Sequence, residues 1–155
     1  MSQDILLLTA LVAVILMGSA MCSGIEAALL AVNPLRVHEL ARRKPKVLGA
    51  IRLEKLRHRI GRTLTVVTIA NNSFNIFGSL MVGSYATYIF QDRIGNVKPI
   101  FFVGLTILVL LLGEIVPKAL GTRLALQISL TSAPVLDFLS IVMRPLLIVL
   151  ERLLP

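Results

Sequence analysis

Tryptophan is absent from this chain of 155 residues, cysteine occurs once and histidine twice. The lone cysteine, Cys22, excludes an internal disulfide framework and a cysteine-based metal site. Neither His38 nor His58 falls within a long apolar run, so imidazole is not on offer there either. Acids are scarce, 8 Asp and Glu against 16 Lys and Arg. The alternation of a transmembrane β-strand is missing, which argues against a barrel. Internal repeats, low-complexity linkers and any stretch resembling a soluble domain are missing too. No nucleophile–base pair or catalytic metal motif is found, so the chain does not read as an enzyme.

Hydrophobic residues make up 56% of the sequence and the mean hydropathy is +0.87. A soluble domain sits near about 45–50%. Three runs, approximately 5–32, 64–90 and 100–120, reach the roughly 20 residues that a helix needs to cross about 30 Å of hydrocarbon. The beginning, MSQD, has no basic n-region, and the first run exceeds a signal peptide's apolar core. The expected fold class is all-α and integral to the membrane, with three transmembrane helices plus amphipathic juxtamembrane helices on the cytoplasmic side.

Charge is unevenly placed. Ten of the 16 Lys and Arg lie between Arg36 and Arg62, accompanied only by Glu39 and Glu54; elsewhere six basic residues face six acidic ones. A basic block between two spans marks the cytoplasmic side, so 33–63 is expected inside, with the N-terminus and loop 91–98 outside and the C-terminus inside. The block suits anionic lipid headgroups rather than nucleic acid, since RVHELARRK and LGAIRLEKLRHRI have helical periodicity, separated by Pro45. The tail, 124–155, is apolar but interrupted by Pro134, Asp137, Arg144 and Pro145. Inserting Asp137 and Arg144 would cost roughly 2.5–3.5 kcal/mol each, so short helices on the inner face are expected.

Each span carries polar residues: Ser23 and Glu26 in the first, Asn71 and Asn75 in the second, Gly113, Glu114, Pro117 and Lys118 in the third. Glu26 lies ten residues from Arg36, Asn71 nine from Arg62 and Glu114 nine from Arg123. At 1.5 Å per residue each is roughly 14–15 Å from a basic marker, which predicts a shared depth near the midplane. Intramembrane carboxylates mark ion or proton pathways. The plainer alternatives are an i,i+4 ion pair of Glu114 with Lys118 and interhelical hydrogen bonds from the asparagines. Small residues at four-residue spacing, Ser19 and Ser23, Ala20 and Gly24, Ser79 and Gly83, suit close helix packing within or between protomers.

Pro117 cannot donate to the carbonyl of Gly113, which is thereby freed beside the Glu114 side chain. Freed carbonyls in broken helices are how several transporters bind cations. The donors available are oxygens, which favour hard ions such as Mg²⁺, Ca²⁺ or Na⁺. Two further readings stay open: a proton-coupled carrier in which Glu26 and Glu114 titrate, and a non-transporting anchor or scaffold.

These residues carry a likeness. CSGIEAALLAVNPLRVHELARR, NNSFN and LLGEIVPKALGTR resemble, in order and spacing over roughly 5–125, the signatures of the CorC / cyclin M (CNNM) magnesium-transporter family. The resemblance implies a homodimeric transmembrane domain in the cell membrane that transports Mg²⁺, with Na⁺ entry coupled to export. It implies a cation site of Ser23, Gly24, Glu26, Asn71, Asn75, Gly113 and Glu114, with Pro117 shaping a kink and Lys118 beside the ligands. Ser73 stands where the family pattern is apolar and reads as an added ligand or a packing variant. Family members usually continue into a nucleotide-binding CBS pair, and this chain is expected to lack one.

Overall fold

A computed structural model describes residues 2–43, 47, 49–90 and 97–153, and every regular element among them is helical. They are α1 (Ser2–Ala31), α2 (Pro34–Arg43), α3 (Ala50–His58), α4 (Ile60–Ile89), α5 (Val97–Leu108), a π-helical segment (Val109–Ile115), α6 (Val116–Arg123), α7 (Ala125–Val142) and α8 (Arg144–Leu153). α1 ends where proline disfavours helix in the residue before it. Asn33 then caps the next helix: its Oδ1 accepts the Leu35 N–H at 2.9 Å, with Pro34 preset for the first turn.

α1 and α4 form an antiparallel pair, and α5, the π segment and α6 run parallel to α1 against it. The order follows from the contacts. Glu26 meets Thr68, Ser19 meets Asn71, and a side chain on Gly78 would strike Ile15. Ser19 likewise meets Gly113, while Gly24 lies against Pro117 and Gly121. The last approach is very close, since a Cβ on Gly121 would collide with the Gly24 carbonyl, so the two backbones touch where only glycine fits.

Two apolar clusters close the bundle at its ends. At the basic end Leu29, Val37, Leu53, Val67 and Leu136 pack together; at the other end Leu8, Ile15, Val82 and Ala86 do so. Between them lies a polar layer containing the buried Ser19, Ser23 and Asn71. The perimeter is the reverse of a soluble protein's, with Leu6, Phe77, Leu80, Val103 and Leu110 exposed. Such a surface is at home in lipid. Three stretches, Gln3–Ala31, Pro99–Arg123 and Ala125–Val142, are long and apolar enough to cross a membrane.

α3 ties the ends together. The Arg57 guanidinium donates to the Leu29 carbonyl at 2.7 Å, satisfying an acceptor in the last turn of α1 where a cation also suits the helix dipole. Thr63 Oγ1 reaches the Leu56 carbonyl at 3.1 Å and fastens α3 to α4. Arg52 lies 4.0 Å from Asp137 of α7.

Two expectations need adjustment. α4 spans 30 residues, but Asn71, Asn72 and Asn75 dilute its hydropathy, so it is not among the three most apolar stretches. The tail is not divided at Pro134, because α7 runs through it for 18 residues. The carbonyl that Pro134 cannot serve, that of Leu130, is covered from outside the helix by Gly49. Gly49 has φ 81, and a Cβ there would collide with that carbonyl. Among the described residues the buried face of α7 (Ala133, Leu136) joins the basic-end cluster and not the opposite one. Pro45 and residues 91–96 of the expected outer loop lie outside the described residues.

Candidate cation site

The polar layer is assembled along one face of α4, where Thr68, Asn71 and Asn75 fall at helical spacing. Asn71 is the centre. Its Oδ1 accepts from Ser19 Oγ at 3.3 Å and from Ser23 Oγ at 3.4 Å, and both serines are fully buried. Ser19 also lies 3.4 Å from the Gly113 carbonyl oxygen. A hydroxyl has one proton, so Ser19 serves either Asn71 or Gly113 at any moment, never both.

The π segment explains why that carbonyl is open. The Val116 N–H donates to Leu111, five residues back, instead of to Leu112 as in an α-helix. Pro117, next along, has no N–H for Gly113. Two successive carbonyls, those of Leu112 and Gly113, thus lose their α-helical donors. The proline kink expected from the sequence is a seven-residue π segment lying upstream of the proline.

The carboxylates flank this centre. Glu114 Oε1 accepts from Asn75 Nδ2 at 3.1 Å, and Asn75 Oδ1 is buried with no partner among the described residues. Glu26 Oε1 accepts from Thr68 Oγ1 at 3.1 Å. Thr68 and Asn75 are seven residues apart, about 10 Å along α4, so the two acids stand on either side of Asn71 rather than at one depth. The sequence ruler failed because Arg36 belongs to α2, a separate helix from α1, and because the π segment winds differently from an α-helix.

Ser23, Glu26, Asn71, Asn75, Gly113 and Glu114 therefore line one polar layer, and Gly24 packs beside it against Pro117. Ser73 is not brought in: its hydroxyl donates to the Ile69 carbonyl of its own helix at 2.8 Å. Lys118 is exposed and forms no ion pair with Glu114, which removes the i,i+4 alternative. Ser19 and Thr68 are site residues that sequence reasoning passed over. Ser19 was legible as the small residue one turn before Ser23, and Thr68 as the position one turn before Asn71. Among the described residues no three His, Cys, Asp or Glu converge, so any metal here would be held largely by neutral oxygens.

Comparison with known proteins bears on the chain as a whole. The chain is 37% identical over 147 residues to the UPF0053 protein sll1254 of Synechocystis sp., covering 94% of this chain and 41% of that protein. It is 29% identical over 136 residues to the UPF0053 inner membrane protein YfjD of Escherichia coli, covering 87% and 30%. It is 31% identical over 135 residues to a chloroplastic DUF21 domain-containing protein of Arabidopsis thaliana, covering 87% and 20%. The chain thus spans less than half the length of these relatives. Residues 10–155 match the model of the cyclin M transmembrane N-terminal domain, so this multi-pass membrane chain belongs to the CNNM family.

Proposed function

We propose that this domain carries a hard divalent cation, Mg²⁺, across the membrane, holding it in the layer between α1, α4 and the π segment. One observation carries the reading: this buried layer holds carbonyl oxygens left without their usual donors. Pro117 leaves the Gly113 carbonyl without its helical donor, and Asn75 Oδ1 is buried with no partner among the described residues. Unmet acceptors in an apolar setting cost free energy, and a cation is their complement. Glu114 and Glu26 bring two formal negative charges to balance a divalent ion.

Oxygen donors favour Mg²⁺, Ca²⁺ or Na⁺ over softer metals. Oxygens around a six-coordinate Mg²⁺ at about 2.1 Å stand about 3.0 Å apart. The 3.3–3.4 Å spacings of Ser19, Ser23, Asn71 and Gly113 would close by a few tenths of an ångström around it. Family resemblance supports export of Mg²⁺ coupled to Na⁺ entry by a homodimer. In this reading the N-terminus is outside, the basic end faces the cytoplasm, and α7 and α8 lie along the inner face.

Calorimetric titration of Mg²⁺ into purified wild type and Glu114→Ala tests the assignment. Wild type should bind and Glu114→Ala should bind at least about tenfold more weakly. Absence of binding by wild type ends the metal reading, and equal binding by both removes Glu114 from the ligands.

A further inference from the structure

The basic end carries a cleft lined by none of the polar-layer residues. It holds about 510 Å³ and opens between the junction of α3 with α4 and that of α7 with α8. Lys55, Arg59 and Arg144 stand at its rim, and none of them has an ion-pair partner among the described residues. Its one acid among the described residues, Asp137, lies 4.0 Å from Arg52.

Two helices begin at this cleft, α4 at Ile60 and α8 at Arg144, and among the described residues no side chain caps the first turn of α4. Uncapped N–H groups and the positive dipole end favour an anion. In the wall, Ser140 Oγ is shielded from solvent and has no hydrogen-bond partner among the described residues. These features together call for a group with several anionic oxygens. The cleft also has an apolar side, built by Leu147 and Ile148 of α8 with Ile141 of α7. A free phosphate would leave that side uncovered, whereas a hydrocarbon chain on the same molecule would cover it. The membrane supplies such a molecule at the depth where a basic helix end meets headgroups.

We propose that this cleft seats an anionic phospholipid, its phosphate between Lys55, Arg59 and Arg144 and its acyl chain along Leu147 and Ile148. The lipid thereby joins α8 and the end of α7 to the start of α4.

The test uses the full chain purified in detergent and supplied with phosphatidylglycerol or phosphatidylcholine, with bound lipid counted by native mass spectrometry. Wild type should retain phosphatidylglycerol in preference. The combined variant Lys55→Gln, Arg59→Gln, Arg144→Gln should lose that preference by about fivefold per charge removed. A control with Arg36→Gln, Arg42→Gln and Arg43→Gln on α2 should keep it. Equal retention by the cleft variant overturns the proposal, and so does equal loss in the α2 control, which would mean diffuse charge attraction. Displacement by inorganic phosphate as effective as that by a short-chain phosphatidylglycerol also overturns it, since the chain would then contribute nothing. If the combined variant loses its helical circular dichroism, Arg144→Gln alone carries the same test with a single fivefold step.

Discussion

The Asn75 amide donates to Glu114 at 3.1 Å while its own carbonyl oxygen stays buried with no partner among the described residues. One side chain thus aims the carboxylate and holds a bare acceptor beside it. Replacing it by leucine removes both. Interhelical hydrogen bonds in membranes average about 0.6 kcal/mol and reach about 1.7. Asn75→Leu should therefore lower thermal stability only modestly, yet weaken Mg²⁺ binding by about tenfold or more, as a lost ligand would. A variant whose stability falls while Mg²⁺ affinity holds would place Asn75 among purely structural contacts.

Pro117 has the opposite signature. Pro117→Ala returns an N–H that the Gly113 carbonyl can accept, and proline inside a helix costs about 3 kcal/mol. The expected outcome is an unfolding temperature equal to or above that of wild type, with Mg²⁺ affinity reduced. Circular dichroism melting and calorimetry on the same sample separate the two effects.

The α1–α6 crossing distinguishes two glycines of similar appearance. A methyl group at Gly121 meets the Gly24 carbonyl head-on, whereas one at Gly24 stands 3.4 Å from the Pro117 carbonyl oxygen. Gly121→Ala should destabilise by about 1–3 kcal/mol, the usual cost of overpacking. Gly24→Ala should lie near the lower end or below it. Chemical or thermal unfolding in detergent gives both values.

Arg57 closes the end of α1 through the Leu29 carbonyl at 2.7 Å. A hydrogen bond to a charged group is worth about 1.5–3 kcal/mol when its loss strands the partner. Arg57→Gln should cost that much in unfolding free energy, whereas Arg42→Gln, exposed at the end of α2, should cost almost nothing.

The long apolar helices, the basic block folded as α2 and α3, and most of the polar layer were legible from residue type and spacing. They depend on local patterns that a single helix imposes on its own sequence. What was not legible depended on a partner. Ser19 became a site residue only when Gly113 was packed against it, and Ser73, equally polar, bonded back to Ile69 instead. The shared depth of the acids failed because it assumed unbroken α-helix between each acid and its marker. Pro134 read as a break because its sequence neighbours say nothing of Gly49, which shields the Leu130 carbonyl from another helix.

The π segment also settles a matter of phase. From α5 to α6 the half-buried or buried positions Phe101, Leu105, Val109, Gly113, Pro117 and Gly121 recur at intervals of four. In an unbroken α-helix four residues overshoot a full turn by about 40°, so five such steps would carry the stripe more than halfway round. The wider turns of Val109–Ile115 wind much of that surplus back. The same distortion that opens two carbonyls therefore keeps both halves of the helix facing α1. An opening made by straightening the segment would swing Pro117 and Gly121 off their contact with Gly24, which couples the exposure of the layer to the glycine crossing of α1 and α6.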